Sequence, residues 1–320
     1  MELVKTALEY LGYILIFPGF LFCMMTGLLL TGIDRKIVAR MQKRVGPPIL
    51  QPFYDFFKLC GKETIIPAAA SKTTFLMAPL LGLAALVVLQ MFIPIHGWSA
   101  FSGMADIIVI LYLLLIPAMA TMMGGAASGS PYAGVGLSRE MVTVISCELP
   151  LVLVLLAIGK AVGGASVTFS FSQISNYQLT NGSLILRPSM IPAAIASLMI
   201  IPGETGNHPF DTAEAETEIC EGLLAEYSGA PLAVYKLSHS IKMFTLTSLF
   251  TALFLGGIGT GIILVDGIIV FALSVVITVL TVSLVHAITA RLKIEQVFKY
   301  YWTVVSGLAL ISVVLAWYGL

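Results

Sequence analysis

Acidic residues are concentrated in one stretch of this sequence, between two apolar runs. Residues 204–226 contain seven of the 17 acidic residues and neither Lys nor Arg. The seven are Glu204, Asp211, Glu214, Glu216, Glu218, Glu221 and Glu226. A carboxylate at the bilayer centre costs roughly 2.5–3.5 kcal/mol, so seven would cost on the order of 20 kcal/mol. We therefore expect this stretch to line a wet cavity or a protein interface at the membrane edge, away from lipid.

The spacing within this stretch indicates a proton-handling site. Asp211, Glu214, Glu218 and Glu221 lie at i, i+3, i+7 and i+10, which predicts one face of a helix starting after Pro209. Like charges at this spacing destabilise a helix and raise each other's pKa. One alternative is that Asp211 and Glu214 only cap a helix. Another is that Arg or Lys side chains from other loops neutralise the stripe, which would make its role structural.

Four titratable residues outside the stripe are further candidates for a proton path. Glu148 lies inside a predicted span, about two turns from Glu140, and an intramembrane carboxylate is a functional hypothesis by default. Lys242, near the end of a later span, is a candidate partner, although snorkelling explains it equally well. His208 stands beside the acidic stripe and titrates near neutrality.

The composition indicates an all-α polytopic membrane protein. The chain has 320 residues, of which 58% are hydrophobic and 11% charged, and its mean hydropathy is +0.98. Eight apolar segments are long enough to span a bilayer. They lie at about 8–33, 73–95, 106–127, 141–163, 183–203, 237–260, 262–288 and 303–320. No repeat or linker divides the chain, so we predict one membrane domain over 1–320, with residues 164–186 as an outer loop. The net charge of zero gives no reason to expect a nucleic-acid partner.

The basic residues predict the orientation of these eight spans. Fourteen fall on the side of the acidic stretch: Arg35, Lys36, Arg40, Lys43, Arg44, Lys58, Lys62, Lys72, Arg139, Lys236, Lys242, Arg291, Lys293 and Lys299. Only Lys5, Lys160 and Arg187 fall on the other side. The positive-inside rule then places the acidic segment (204–230) in the cytoplasm and both termini outside the cytoplasmic membrane.

The first cytoplasmic segment, residues 34–72, is amphipathic. Gly46, Pro47 and Pro48 interrupt it, and Phe53 and Phe56 then recur on an apolar face opposite Lys58. One interpretation is an interfacial helix resting among lipid headgroups. The other is that the apolar face covers a cavity while the basic face docks a soluble partner.

The four cysteines offer no metal framework. Cys23, Cys60, Cys147 and Cys220 are isolated, without a C-x-x-C pair. We therefore expect no cofactor and no redox centre in this chain, and a non-catalytic role in any redox reaction.

Four motifs resemble one family of membrane subunits. They are RMQKRVGPPILQPFYDFFKL (40–59), SGSPYAGVGLSRE (128–140), PFDTAEAETEICEGLLAEYSG (209–229) and ARLKIEQ (290–296). Together they resemble the membrane-anchor subunit shared by respiratory complex I, where it forms the quinone chamber, and group 4 membrane-bound nickel–iron hydrogenases. The second and third motifs are more similar to the hydrogenase branch, which includes formate hydrogenlyase.

The resemblance implies partners and roles that the residues alone do not give. It implies hydrogenase-like large and small subunits on the cytoplasmic side, carrying a NiFe centre and iron–sulfur clusters and accepting electrons from ferredoxin or formate. It also implies antiporter-like membrane subunits that move H⁺ or Na⁺. Residues matching the family's acidic path are Glu148, Glu204, Asp211, Glu214, Glu216, Glu218, Glu221 and Glu226. Residues matching its docking rim are Arg35, Lys36, Arg40, Arg44 and Arg291.

Two departures from the complex I pattern weigh against a bound quinone. This chain has Asn207 and His208 before Pro209, where complex I usually has Arg-Ala, and Cys147 before Glu148, where complex I usually has Tyr. The leading hypothesis is a coupling and anchor subunit of a hydrogenase-like complex. The alternatives are a quinone-chamber subunit, the equivalent subunit of a sulfur-reducing complex, and a stand-alone secondary transporter.

Overall fold

A computed structural model describes residues 10–101, 106–164 and 166–319. The regular secondary structure of this part is all helical, and its only β pairing is two isolated bridges, Ile95–Trp98 and Asp106–Ser170. The helices before the acidic segment are α1 (Phe20–Met41, preceded by a helical turn at 10–15), α2 (Gln51–Cys60), α3 (Lys72–Phe92), α4 (Ile107–Ser128), α5 (Pro131–Gly163), α6 (Phe171–Asn181) and α7 (Ile191–Thr205). The remaining helices are α8 (Glu216–Ile219), α9 (Gly229–Phe254), α10 (Ile263–Ile288) and α11 (Ile294–Trp317).

Six helices of the described chain are long and apolar enough to cross a membrane, which confirms a multi-pass membrane fold. They are α1 with its preceding turn, α3, α4, α5, α10 and α11. Two helices that fall in predicted spans, α7 and α9, are not among these six, which accounts for the difference from the eight predicted spans. α7 has 15 residues and is about 22 Å long, shorter than a hydrocarbon core of ~30 Å. α9 is long enough but more polar. The count of eight spans therefore stays a prediction.

Helix α9 is the centre of the bundle, and this position explains its polarity. It packs against α1, α2, α3, α7 and α10, and 20 of its 26 residues are buried. Because α9 contacts protein on most sides, its Ser and Thr side chains face other helices and not lipid. Thr245 and Thr247, for example, donate to the carbonyls of Ile241 and Met243 one turn back.

Two spans contain a π-helical turn, at Val279–Ser283 in α10 and at Tyr300–Val305 in α11. Such turns are rare and frequently occur at functional sites. Each directs a polar side chain into the bundle: Ser283 is fully buried, and Tyr301, also fully buried, donates to the Met199 carbonyl at 3.1 Å.

Two local predictions were wrong. The acidic segment forms no continuous helix: between α7 and α9 it contains only the short α8 and a 3₁₀ turn at Gly222–Leu224, and Cys220 and Glu221 between them adopt left-handed φ values of 52° and 65°. The stripe predicted from Asp211 to Glu221 therefore does not exist. Gly136 of α5 allows the irregular segment to pack closely, because a Cβ there would lie 3.0 Å from the Leu223 amide nitrogen. In the predicted outer loop, residues 171–181 form helix α6, whose Gln178 side chain donates to the last carbonyls of α9.

Candidate functional site

A cavity of about 640 Å³ lies where α1, α2, α5, α7 and α9 meet the acidic segment. Charged side chains of both signs line it, four from the acidic segment and most of the others from the surrounding helices. Its acidic lining residues are Asp34, Asp55, Glu140, Glu204, Asp211, Glu214 and Glu221. Its basic ones are Arg35, Lys58, Lys62, Lys236 and Lys242, with His239 and His286 beside them.

Helix α2 covers this cavity, in agreement with one half of the second interpretation of the amphipathic segment; the docking of a soluble partner on its basic face stays a prediction. Phe56 and Leu59 line the cavity, and Phe53 and Phe56 pack against Leu237 and Ile241 of α9. The first half of the amphipathic segment instead continues α1 to Met41.

A buried ion pair joins two helices at the inner end of the cavity. Lys242 of α9 lies 3.4 Å from Glu204 in the last turn of α7, measured from Nζ to Oε2. The two side chains are only 11% and 7% exposed. Glu140 of α5 interacts electrostatically with both. The lysine that the sequence suggested as a partner is therefore paired with a carboxylate and does not snorkel.

Glu214 has the electrostatic environment of a proton-exchanging group. It lines the cavity in the irregular part of the acidic segment. Burial raises its pKa to about 7, and the negative charges of Glu140, Glu221 and Asp211 add to this effect against an opposing Lys236. A carboxyl group with this pKa gains and loses a proton near neutral pH.

Two other carboxylates of the segment are paired with arginines, as one alternative predicted. Arg291 contacts Asp211 Oδ2 at 3.0 Å through Nε and 2.7 Å through Nη2. Arg139 donates to Glu218 at 2.6 Å, and this hydrogen bond lowers the pKa of Glu218. Glu218 does not line the cavity, and its exposed side chain, held ionised by Arg139, is in a different environment from that of Glu214.

Two residues of the predicted proton path, besides Glu218 and His208, do not line the cavity. Glu148 is half-buried on α5, on the face that exposes Ile145, Leu149 and Val152. Glu226 is exposed beyond the segment's last turn. Glu216 begins α8, and its side chain lies outside the described part of the structure.

His208 connects the acidic segment to α10. Its ring stacks on that of His286 with 5.0 Å between centroids. Burial lowers the pKa of His208, and this outweighs the opposite effect of Asp211. His208 Nδ1 is buried and has no hydrogen-bond partner among the described residues.

One part of the site was missed by the sequence analysis. Ser283, in the π-turn of α10, donates to the buried carboxylate of Asp34 at 2.6 Å. Asp34 also lines the cavity. Asp34 could have been found by the signal that identified Glu148, an acidic residue at membrane depth, because Asp34 ends an apolar run.

The predicted docking residues lie at the same end of the bundle. Arg40, Arg44 and Lys58 are exposed and Lys36 is half-buried. Arg35 forms an exposed ion pair with Asp55 of α2, with 3.2 Å between Nη1 and Oδ2. Arg291 is held by Asp211, so it stabilises the acidic segment.

The described residues hold no group of three or more His, Cys, Asp or Glu side chains that could bind a metal ion. All four cysteines are free, and Cys23 and Cys147 are buried in apolar surroundings.

Comparison with known proteins gives consistent matches along the chain. The profile of the family described as NADH dehydrogenase matches residues 14–317. Hydrogenase-4 component C of Escherichia coli K12 is 37% identical over 248 residues, covering 76% of each chain. The H subunit of NADH-quinone oxidoreductase from Thermomicrobium roseum is 34% identical over 304 residues, covering 89% of this chain and 88% of the relative.

A solved structure is similar over nearly the whole length. A chain in the structure of the membrane-bound sulfane sulfur reductase, an archaeal respiratory membrane complex, superimposes with a TM-score of 0.84 at 29% identity, covering 92% of this chain and 96% of that one. The match to the family profile includes the segments that build the cavity. The chain therefore belongs to the NADH dehydrogenase family of membrane subunits.

Proposed function

We propose that this protein is the membrane-anchor and coupling subunit of an ion-translocating, hydrogenase-like complex. The observation that carries the proposal is the position of Glu214. It lies in a cavity next to Glu140, with a pKa of about 7, and Glu140 in turn interacts with the buried Glu204–Lys242 pair. A change in the protonation of Glu214 can therefore alter, through Glu140, the electrostatic interactions of the buried Glu204–Lys242 pair.

The proposed mechanism is electrostatic. When a docked redox subunit takes up electrons or protons, the charge near the cavity changes and shifts the protonation of Glu214. A change of charge at Glu214 alters the electrostatic potential at Glu140. This changes how strongly Lys242 is attracted to Glu140 relative to Glu204. Glu148, two turns further along α5, would pass the change to neighbouring membrane subunits, either to move H⁺ or to drive Na⁺ movement.

The proposed partners follow from the relatives and from the charge of the cavity's end of the bundle. Exposed Arg40, Arg44 and Lys58 form a basic rim suited to soluble subunits with an acidic surface. The similarity to hydrogenase-4 component C supports hydrogenase-like large and small subunits there, and the similarity to a chain of the archaeal sulfane sulfur reductase supports the alternative of a sulfur-reducing complex. A NiFe centre, iron–sulfur clusters and a ferredoxin or formate electron source would belong to those subunits, and antiporter-like subunits would adjoin the bundle.

The proposed orientation places this end in the cytoplasm. α1 ends and α11 begins beside the acidic segment, so their other ends lie at the opposite face. With the basic residues inside, both termini would be outside the cytoplasmic membrane.

A quinone chamber is the second candidate, because the NADH-quinone oxidoreductase relatives are similar over most of the chain. The cavity's volume lies within the usual range of ~300–1,000 Å³ for small-molecule sites. Its lining differs from the usual apolar one, since charged groups of both signs enter it.

Purification of the tagged chain from its native membrane distinguishes these candidates. Co-purifying nickel and hydrogen evolution from reduced ferredoxin or formate would support the hydrogenase-like complex. Quinone reduction that is blocked by a quinone-site inhibitor would favour the second candidate. Ion transport by the isolated chain in liposomes would overturn both.

A further inference from the structure

A second cavity lies on the lipid-facing side of the bundle, between α3 and α4. It has a volume of about 280 Å³ and is almost entirely apolar. Ala78 and Ala120, 3% and 1% exposed, form its floor. Met77, Leu81 and Met123, between 45% and 61% exposed, form its walls. We name this the α3–α4 groove; it is separate from the charged cavity.

The dimensions of the α3–α4 groove identify the shape of its occupant. Its lining runs along α3 from Thr73 to Leu81, a length of about 12 Å at 1.5 Å per residue. Dividing 280 Å³ by this length gives a cross-section of about 23 Å², and a water radius of about 1.4 Å on each side brings the full width to about 8 Å. A helix with side chains is about 10–12 Å wide, so a partner helix cannot enter the groove. A single hydrocarbon chain can.

The charge at one end of the groove identifies the class of lipid. Lys72 immediately precedes Thr73, is exposed, and forms no ion pair with any described residue. The start of α3 is tied to the end of α4 by a hydrogen bond from the Ser71 amide to the Ala127 carbonyl. This is the end of the bundle that holds the acidic segment and the basic rim, where phospholipid headgroups lie. A lysine there attracts an anionic headgroup.

We propose that the α3–α4 groove binds one acyl chain of an anionic phospholipid, whose phosphate lies beside Lys72. The unbranched thioethers of Met77 and Met123 adapt to a flexible chain. The bound acyl chain would cover the exposed walls of the groove, formed by Met77, Leu81 and Met123.

Photocrosslinking in the intact purified complex tests this proposal. The complex is reconstituted in nanodiscs with a phosphatidylglycerol that carries a diazirine in its acyl chain, and the labelled peptides are mapped. We expect labelling of Met77, Leu81 or Met123 several-fold above that of Leu80, which is 48% exposed on α3 but does not line the groove.

Paired variants separate the acyl and headgroup contacts. Leu81→Trp should block the groove and remove the label, whereas Leu80→Trp should retain it. Lys72→Gln should reduce labelling by roughly fivefold and Lys72→Arg should not, since one lysine near an anionic surface contributes about 1 kcal/mol. Lys299→Gln, at another exposed lysine of the same end, is the matched control.

Three results would overturn the proposal. Equal labelling of Met77 and Leu80 would show ordinary lipid contact only. Equal labelling by a phosphatidylcholine probe with the same acyl chain would show that Lys72 does not select an anionic headgroup. Crosslinks from groove residues to another subunit, in place of lipid, would show that protein covers the groove.

Discussion

The buried Lys242–Glu204 pair can be removed in two ways that should have opposite effects on stability. At 3.4 Å and an effective dielectric constant of about 20, the attraction between the charges is about 5 kcal/mol. Lys242→Met leaves the Glu204 carboxylate buried without its partner, and such a loss destabilises by roughly 3–5 kcal/mol. Lys242→Met combined with Glu204→Leu removes both charges and fills similar volume, so stability should return to near the wild-type value or above it.

Thermal unfolding of the purified complex, followed by loss of the intact assembly, provides the measurement. We expect the order double variant ≥ wild type > Lys242→Met, with ion pumping lost in both variants. Lys236→Met is the matched control, because Lys236 also lines the cavity but forms no ion pair within the described residues. A single variant as stable as wild type, or a double variant with full pumping, would refute the reasoning.

Three other predictions concern coupling, pH and docking. Glu214→Gln should leave assembly and electron transfer intact but uncouple electron transfer from ion movement. The Glu218→Gln variant, changed at an exposed arginine-paired site, should pump normally. Equal effects of the two substitutions would contradict the assignment of Glu214 as the proton-exchanging group. Because the pKa of Glu214 is raised from 4.5 to about 7 in the folded state, its contribution should make the protein less stable as pH rises from about 4.5 to 7, and the Gln variant should lose this slope in unfolding midpoints. Arg44→Glu should release the soluble subunits on a native gel while Lys160→Glu at the opposite end does not; an undisturbed complex would exclude the basic rim as the docking surface.

The bundle and its acidic end could be predicted because each depends on local composition. Long apolar runs must cross the membrane or be buried, whatever else the chain does. Seven carboxylates between two such runs must reach water or protein. The amphipathic pattern that includes Phe53 and Phe56 likewise determines which face of α2 covers the cavity.

The path of the acidic segment could not be predicted from its spacing. A regular helix would have aligned Asp211, Glu214, Glu218 and Glu221, but residues 206–215 are not helical and the backbone is left-handed at Cys220 and Glu221, so the four do not share one helical face. Arginines distant in sequence then pair with two of the four, Arg139 lying 79 residues from Glu218 and Arg291 lying 80 from Asp211. Such pairs depend on the tertiary packing of α5 and α11 near the segment.

The contact between Asp34 and Ser283 was beyond sequence reasoning for the same reason. The two residues are 249 positions apart, and the π-turn that directs Ser283 inward leaves no clear pattern in an apolar helix. The one available hint was the position of Asp34, an acidic residue at the end of an apolar run.

The protonation of Glu214 in the intact complex tests the account most directly. Infrared difference spectra of the carboxyl region, recorded against pH for wild type and Glu214→Gln, isolate the signal of this one group. We expect a titration near pH 7 in the wild type that is missing from the variant. A carboxylate that stays ionised down to its ordinary value near 4.5 would contradict it.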